Sequence, residues 1–166
     1  MPHDITRQAS ALIEHIQTRF HDGHRRVLPE LLAMAAAVEA RCHVNGIADG
    51  LVEPLRAIGN ALEQHMFKEE MRLFPMMEQG GNSLIGQLIE DLHREHVEHE
   101  DAMHSLRARL EALHRACNAD PAILQLIHAV NDLANELAQH IRVEDEELFP
   151  MFLRPGPLVR PASLNP

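Results

Sequence analysis

Two stretches of the chain carry the same metal-binding side chains at the same spacing. His65 is followed by Glu69 and then by Phe74-Pro75-Met76; His140 is followed by Glu144 and then by Phe149-Pro150-Met151. Both read His-x3-Glu-x4-Phe-Pro-Met, 75 residues apart. An i,i+4 spacing puts imidazole and carboxylate on one face of a helix, and this donor pair suits borderline first-row metals. Two such pairs brought face to face let each His hold one metal while each Glu bridges both. The same offset carries His21 to His96, His24 to His99, Leu31 to Leu106, Cys42 to Cys117, Asn60 to Asn135, Leu62 to Leu137 and Gln64 to Gln139. A gapless match of this length reads as an internal duplication. Two copies of a helix hairpin, paired about a pseudo-twofold axis, would supply the same residues from each half to a site on the axis.

The neighbours of these residues say where they point. Leu51, Leu55, Ile58, Leu62, His65 and Glu69 advance in alternating steps of four and three, as do Leu126, Val130, Leu133, Leu137, His140 and Glu144. His21, His24, Leu28, Leu31, Ala35, Val38 and Cys42 form a third stripe, and His96, His99, Met103, Leu106, Leu110, Leu113 and Cys117 form its copy. Such stripes face a core. A single histidine on an apolar face is ordinarily a satisfied core residue. Several imidazoles and two carboxylates in one low-dielectric core are costly unless paired or metal-bound, and the set points to a dinuclear metal site. His24 and His99, three residues from His21 and His96, suit either a hydrogen-bonding support for a ligand or a pocket wall. Of the 13 histidines, His3, His15, His93, His104, His114 and His128 have no partner at the offset and read as solvated or capping residues. Cys42 and Cys117 read as buried thiols, and the Phe-Pro pairs as punctuation at the ends of the ligand-bearing helices.

The elements that must position these side chains are helices. The 166 residues are rich in Ala, Leu, Glu, Gln and Arg, lack Trp and Tyr, and show apolar residues at three- and four-residue intervals with no period-two segment. Breakers at His43-Val44-Asn45-Gly46, Gln79-Gly80-Gly81-Asn82 and Asn118-Ala119-Asp120-Pro121 divide the chain into four. The prediction is an all-α, up-down-up-down four-helix bundle of helices about 30 residues long, over residues 1–153. A Pro-rich tail follows at 154–166. Ser83 is the expected N-cap of the third helix, Asp120-Pro121 that of the fourth, and Pro29 should kink or break the first. A formal charge of −10 argues against nucleic-acid and anionic-membrane partners. No apolar run is long enough to span a bilayer. The N-terminus lacks a basic segment followed by an apolar one, and two distant cysteines make no disulfide framework, so a cytoplasmic location is expected.

With His on the first helix, His-x3-Glu on the second, His on the third and His-x3-Glu on the fourth, residues 10–153 resemble the hemerythrin-like (HHE cation-binding) family. Within it the likeness is to the di-iron domain of the bacterial repair-of-iron-centres proteins. The resemblance implies two non-haem iron ions, in a centre that can carry an oxo or hydroxo bridge. It implies His21, His65, His96 and His140 as terminal ligands and Glu69 and Glu144 as bridging carboxylates. It also implies a further His closing the first helix, for which His43 is the candidate; its counterpart at the offset is Asn118, so its binding would make the two metals unequal. The repair proteins carry a small N-terminal domain with a Cys-Cys pair, whereas this chain opens on the bundle. The family's oxygen carriers use His-x3-His on the third helix and His-x4-Asp on the fourth. Here His96 is followed by Glu100, which points away from a dedicated O₂ store. The function implied is binding of, or reaction with, NO or O₂ in nitrosative or oxidative stress or in iron homeostasis. The alternatives are a non-catalytic O₂ or iron sensor or carrier, and a zinc or mixed-metal bundle. Ferritin-like chemistry wants Glu-x2-His on two helices, and the two matches, Glu90/His93 and Glu111/His114, share the third segment.

Overall fold

The computed structural model describes residues 2–42, 50–117 and 120–153, with side chains from Asp4 onward. His43, the turn at Asn45-Gly46 and the tail 154–166 lie outside the described residues. Four helical rods make up the rest, with no strand among the described residues. α1 covers residues 2–41, as Pro2–His15, Ile16–His21 and Asp22–Arg41. α2 covers 52–78, as Val52–Lys68, Glu69–Leu73 and Phe74–Glu78. α3 is Ile85–Ala116, and α4 covers 121–148, as Pro121–Arg142 and Val143–Leu148, followed by a 3₁₀ turn at Phe149–Met151. The neighbouring pairs α1–α2, α2–α3, α3–α4 and α4–α1 pack against one another, which closes an up-and-down bundle. None of the described helices is long and apolar enough to cross a membrane.

The ends follow local chemistry. Asp120 caps α4 by accepting the Ala122 N–H at 2.9 Å, with Pro121 in the first turn where its missing donor costs nothing. α2 ends at Gly80 and Gly81, whose φ values of 93° and 81° lie in the left-handed region. Their N–H groups close back on Met77 and Met76 at 3.0 and 2.8 Å. Ser83 does not cap α3. The helix starts after Leu84 with no side-chain cap; just before it Asn82 Oδ1 accepts the Leu84 N–H at 2.9 Å, an Asx turn that leads the chain in.

Pro29 does not interrupt α1, which runs through it from Asp22 to Arg41. The core packing of Leu28 and Leu31 on either side outweighs one lost backbone bond. The irregularities lie elsewhere, in three wide π-helical turns: Asp22 N–H bonds Gln17 O, Phe74 N–H bonds Glu69 O, and Phe149 N–H bonds Glu144 O. The second and third run directly into Phe-Pro, where proline supplies no donor and its ring crowds the preceding turn. Such turns gather at functional sites. Here they hold His21, Glu69 and Glu144.

The apolar interior is in two parts. One joins Leu28, Leu31, Leu62, Leu106, Leu133 and Leu137 with their neighbours; the other joins Ile13, Phe20, Phe74, Met77, Ile89 and Phe149. Between them lies a buried polar layer of His21, His24, His65, Glu69, His96, His99, His140 and Glu144. At the far end of the first part, Cys42 is buried and Cys117 half-buried, both as free thiols. Burial first, then thiol–thiol contact with Cys117, raises the Cys42 pKa, so residues equivalent in the duplication meet there.

Candidate metal centre

Six of the seven sequence-predicted ligands converge in the polar layer; the seventh, His43, is outside the described residues. Among the described residues three groups have one donor atom of each residue within 4.8 Å of the others; one is His65, Glu95 and His99, and the other two draw on the predicted ligands alone. These two are His21, His140, Glu69 and Glu144, and His65, His96, Glu69 and Glu144. Both carboxylates belong to both groups, and each group takes one histidine from each copy of the hairpin. His21 Nε2 lies 3.2 Å from Glu69 Oε2 and His65 Nε2 3.3 Å from Glu69 Oε1. His96 Nε2 lies 3.0 Å from Glu144 Oε2 and His140 Nε2 2.8 Å from Glu144 Oε1. All four imidazoles thus turn Nε2 inward, and both carboxylates have no solvent exposure.

The inner donors are under-satisfied. Neither Glu69 oxygen makes a hydrogen bond, nor do Glu144 Oε2 and His21 Nε2, despite their short approaches. A buried polar group left so costs about 1–3 kcal/mol, more when charged, unless something else meets it. Two imidazoles and two shared carboxylates per group fit a pair of divalent first-row cations, which would fill those vacant lone pairs.

The electrostatics point the same way. Burial alone would hold His65 neutral, but the close Glu69 carboxylate and the hydrogen bond with Glu95 push its pKa up to about 10. Burial is likewise overcome at His96, by Asp145 and Glu144, which raise it to about 9, and at His21, by Glu69 and Glu70. Glu69 and Glu144 are held below the usual carboxylate range: burial opposes their ionisation, and at Glu69 so does the neighbouring Glu144, but the imidazoles around them prevail. Without a cation, the carboxylate charge is met by protons on histidine. Metal binding would displace those protons.

Residues outside the predicted set hold these side chains in place. Each of the four imidazoles also has an outward partner at Nδ1. Glu70 Oε1 is 2.7 Å from His21 Nδ1, and Arg25 clamps both oxygens of Glu70 at 2.8 and 3.0 Å. Glu95 Oε2 is 2.8 Å from His65 Nδ1, Asp145 Oδ1 is 2.9 Å from His96 Nδ1, and His24 Nε2 is 3.2 Å from His140 Nδ1. Fixing Nδ1 sets both the tautomer and the ring plane. Glu70 and Asp145 were legible as acidic residues 75 apart, each next to a repeated Glu. Glu95 has Phe20 at its offset and left no such trace.

The Phe-Pro pairs are more than punctuation, because Phe74 stacks on His21 and Phe149 on His96. His24 takes the supporting role, whereas His99 sits edge-on to His65 with Nε2 unpartnered. Burial, then the neighbouring imidazoles, lowers His24 to about 3 and His99 to about 4, so both are neutral. His99 also lines a cavity of about 450 Å³ between α2 and α3, walled by Ala57, Ile58, Ala61 and Ala102. His93, expected to be solvated, is half-buried against Asp145 at 3.1 Å. His15, His104 and His128 are exposed.

The hemerythrin HHE cation binding domain family matches residues 12–152 of this chain. The chain is also similar to proteins called iron-sulfur cluster repair protein YtfE. It is 36% identical over 144 residues to that of Dickeya chrysanthemi, 35% over 144 to that of Cronobacter sakazakii and 40% over 150 to that of Pectobacterium carotovorum. Each match covers 86% of this chain and 65% of the relative's length.

Proposed function

The chain belongs to the hemerythrin HHE cation binding domain family, and on that premise we propose that it is a non-haem di-iron protein that binds or reacts with NO or O₂, in the stress response or in iron homeostasis. The observation that carries the reading is the pair of buried donor groups sharing Glu69 and Glu144, in which both Glu69 oxygens and Glu144 Oε2 make no hydrogen bond. One iron would be held by His21 and His140, the other by His65 and His96, with Glu69 and Glu144 common to both. Iron there would supply an electron-rich metal that takes up a diatomic ligand and changes oxidation state.

The chain's own residues do the rest. The outward bonds at Nδ1 hold four imidazoles with Nε2 turned inward before any metal arrives, which lowers the ordering cost of binding. The apolar clusters on either side keep bulk water from the layer and strengthen every electrostatic interaction in it. The cavity at His99, mainly apolar but with Glu98 and Arg109 in its wall, lies beside His65 and is large enough for a small uncharged molecule. Iron–sulfur cluster repair, the role in the relatives' names, is carried to this chain as part of the same proposal, at the stress-response level.

The test is metal analysis of anaerobically purified protein, followed by optical titration with NO and with O₂. Two iron ions per chain and a nitrosyl spectrum with rapid oxidation in O₂ support the reading. A stable, reversible O₂ adduct favours a carrier, and zinc without iron overturns it.

A further inference from the structure

We propose that Glu95 is a positioning residue of the centre, holding His65 through Nδ1 and making the His65–His96 position the more strongly donating of the two. The inference rests on the di-metal reading above and concerns residues that reading does not use.

The argument comes from where the duplication is kept and where it has diverged. Glu70 beside His21 and Asp145 beside His96 are copies of one another, with the same contact at Nδ1. His65 and His140 are also copies, yet their surroundings differ. His65 Nδ1 meets the Glu95 carboxylate at 2.8 Å. The residue equivalent to Glu95 in the other half is Phe20, whose ring stacks on His140 with centroids 5.2 Å apart and planes within 8°. His140 Nδ1 turns instead to the neutral imidazole of His24 at 3.2 Å. The copy of His24 is His99, and its Nε2 is left without a partner. The His65–His96 position is therefore flanked by two carboxylates, Glu95 and Asp145. The His21–His140 position has one, Glu70; Glu70 and Glu95 are each paired with a cation, Arg25 and Lys68 respectively.

A carboxylate at Nδ1 draws the imidazole proton toward itself and makes Nε2 the stronger donor. Replacing such a partner commonly costs ten- to a hundredfold in metal affinity. Lys68 pairs with the other Glu95 oxygen and Asp145 also meets His93, so both carboxylates are fixed as well as charged. Divalent first-row cations should fill the His65–His96 position first, and iron there should be the more easily oxidised of the two. Glu95 is thus a positioning residue that acts through His65.

The experiment titrates the metal-free full chain with Co²⁺, followed by calorimetry and visible absorption, in wild type, Glu95→Gln and Glu95→Asp. The wild type should bind two equivalents in unequal steps. Glu95→Gln should weaken the tighter step roughly ten- to a hundredfold and leave the weaker one nearly unchanged, and Glu95→Asp should recover most of the loss. Two identical steps in wild type, or equal effects of Glu95→Gln on both, overturn the inference. Fewer than two equivalents in wild type overturns the di-metal reading itself, which separates the two failures.

Discussion

The Phe149 ring lies parallel to the His96 imidazole, with centroids 5.9 Å apart and planes within 6°. Its copy does the same in the other half, Phe74 lying 5.8 Å from His21 at 19°. Both phenylalanines are fully buried, so each forms one wall of a ligand's slot. Phe149→Ala should destabilise the fold by about 3–5 kcal/mol through the cavity it leaves. Phe149→Leu should keep most of the stability but loosen His96 and release metal more readily. Thermal melts with metal content measured on the same samples check this; unchanged metal retention in Phe149→Leu would remove the phenylalanine from the site.

In the proposed centre each histidine serves one of the two four-residue donor groups and Glu69 and Glu144 serve both. His65→Ala and His140→Ala should therefore each lower metal content, whereas Glu69→Ala should lower occupancy at both positions and so cost more. His128→Ala, at an exposed position of α4, should change nothing. Elemental analysis of the purified variants reads the pattern. Equal loss in all four counts against the assignment.

Removing the metal should lower Tm. A cation bound only by the folded chain stabilises it by about 2.7 kcal/mol at a free concentration a hundred times Kd. Its loss also returns Glu69 and Glu144 to a core with unmatched lone pairs. Melting curves before and after anaerobic chelation, with restoration on adding metal back, make the comparison. Identical curves would sink the buried-site argument.

The metal-free protein should be most stable near pH 6.5. His65 and His96 hold protons in the folded state up to about pH 10 and 9, well above the unfolded value of 6.5. Their contribution is complete below pH 6.5 and is lost as pH rises through 9 and 10. His24 and His99 are lowered to about 3 and 4, so the unfolded chain binds more protons below pH 6.5 and stability falls as pH drops toward those values. Metal affinity should instead climb from pH 6.5 to 9, because protons leave the imidazoles that the cation needs. Urea melts of apo protein across pH 4–10 test the first statement. A monotonic rise with pH would contradict it.

Much of this was readable in one dimension. Helical periodicity and helix breakers are local properties, so four helices and their inward stripes follow from spacing alone. His21, His65, Glu69, His96, His140 and Glu144 all fall on those stripes and all prove buried. Pro29 and Ser83 misled because a helix interior held by core packing absorbs one lost bond, and because the helix starts two residues after Ser83, beyond an Asx turn at Asn82. The supporting shell was harder to read. Glu70 and Asp145 sit beside ligands in sequence, but Glu95 comes to His65 from another helix and has no copy to betray it.

By itself, then, the sequence determined the bundle, its duplication and six side chains turned toward one axis, because helix period and repeat offset need no knowledge of neighbours. Only the tertiary structure decided that His21 faces His140 and His65 faces His96, and that each pair shares both glutamates. It alone showed that Glu95 supports one imidazole where Phe20 stacks on its twin. Contacts across helices depend on how the rods pack and where three wide turns shift their faces, and no local spacing encodes that.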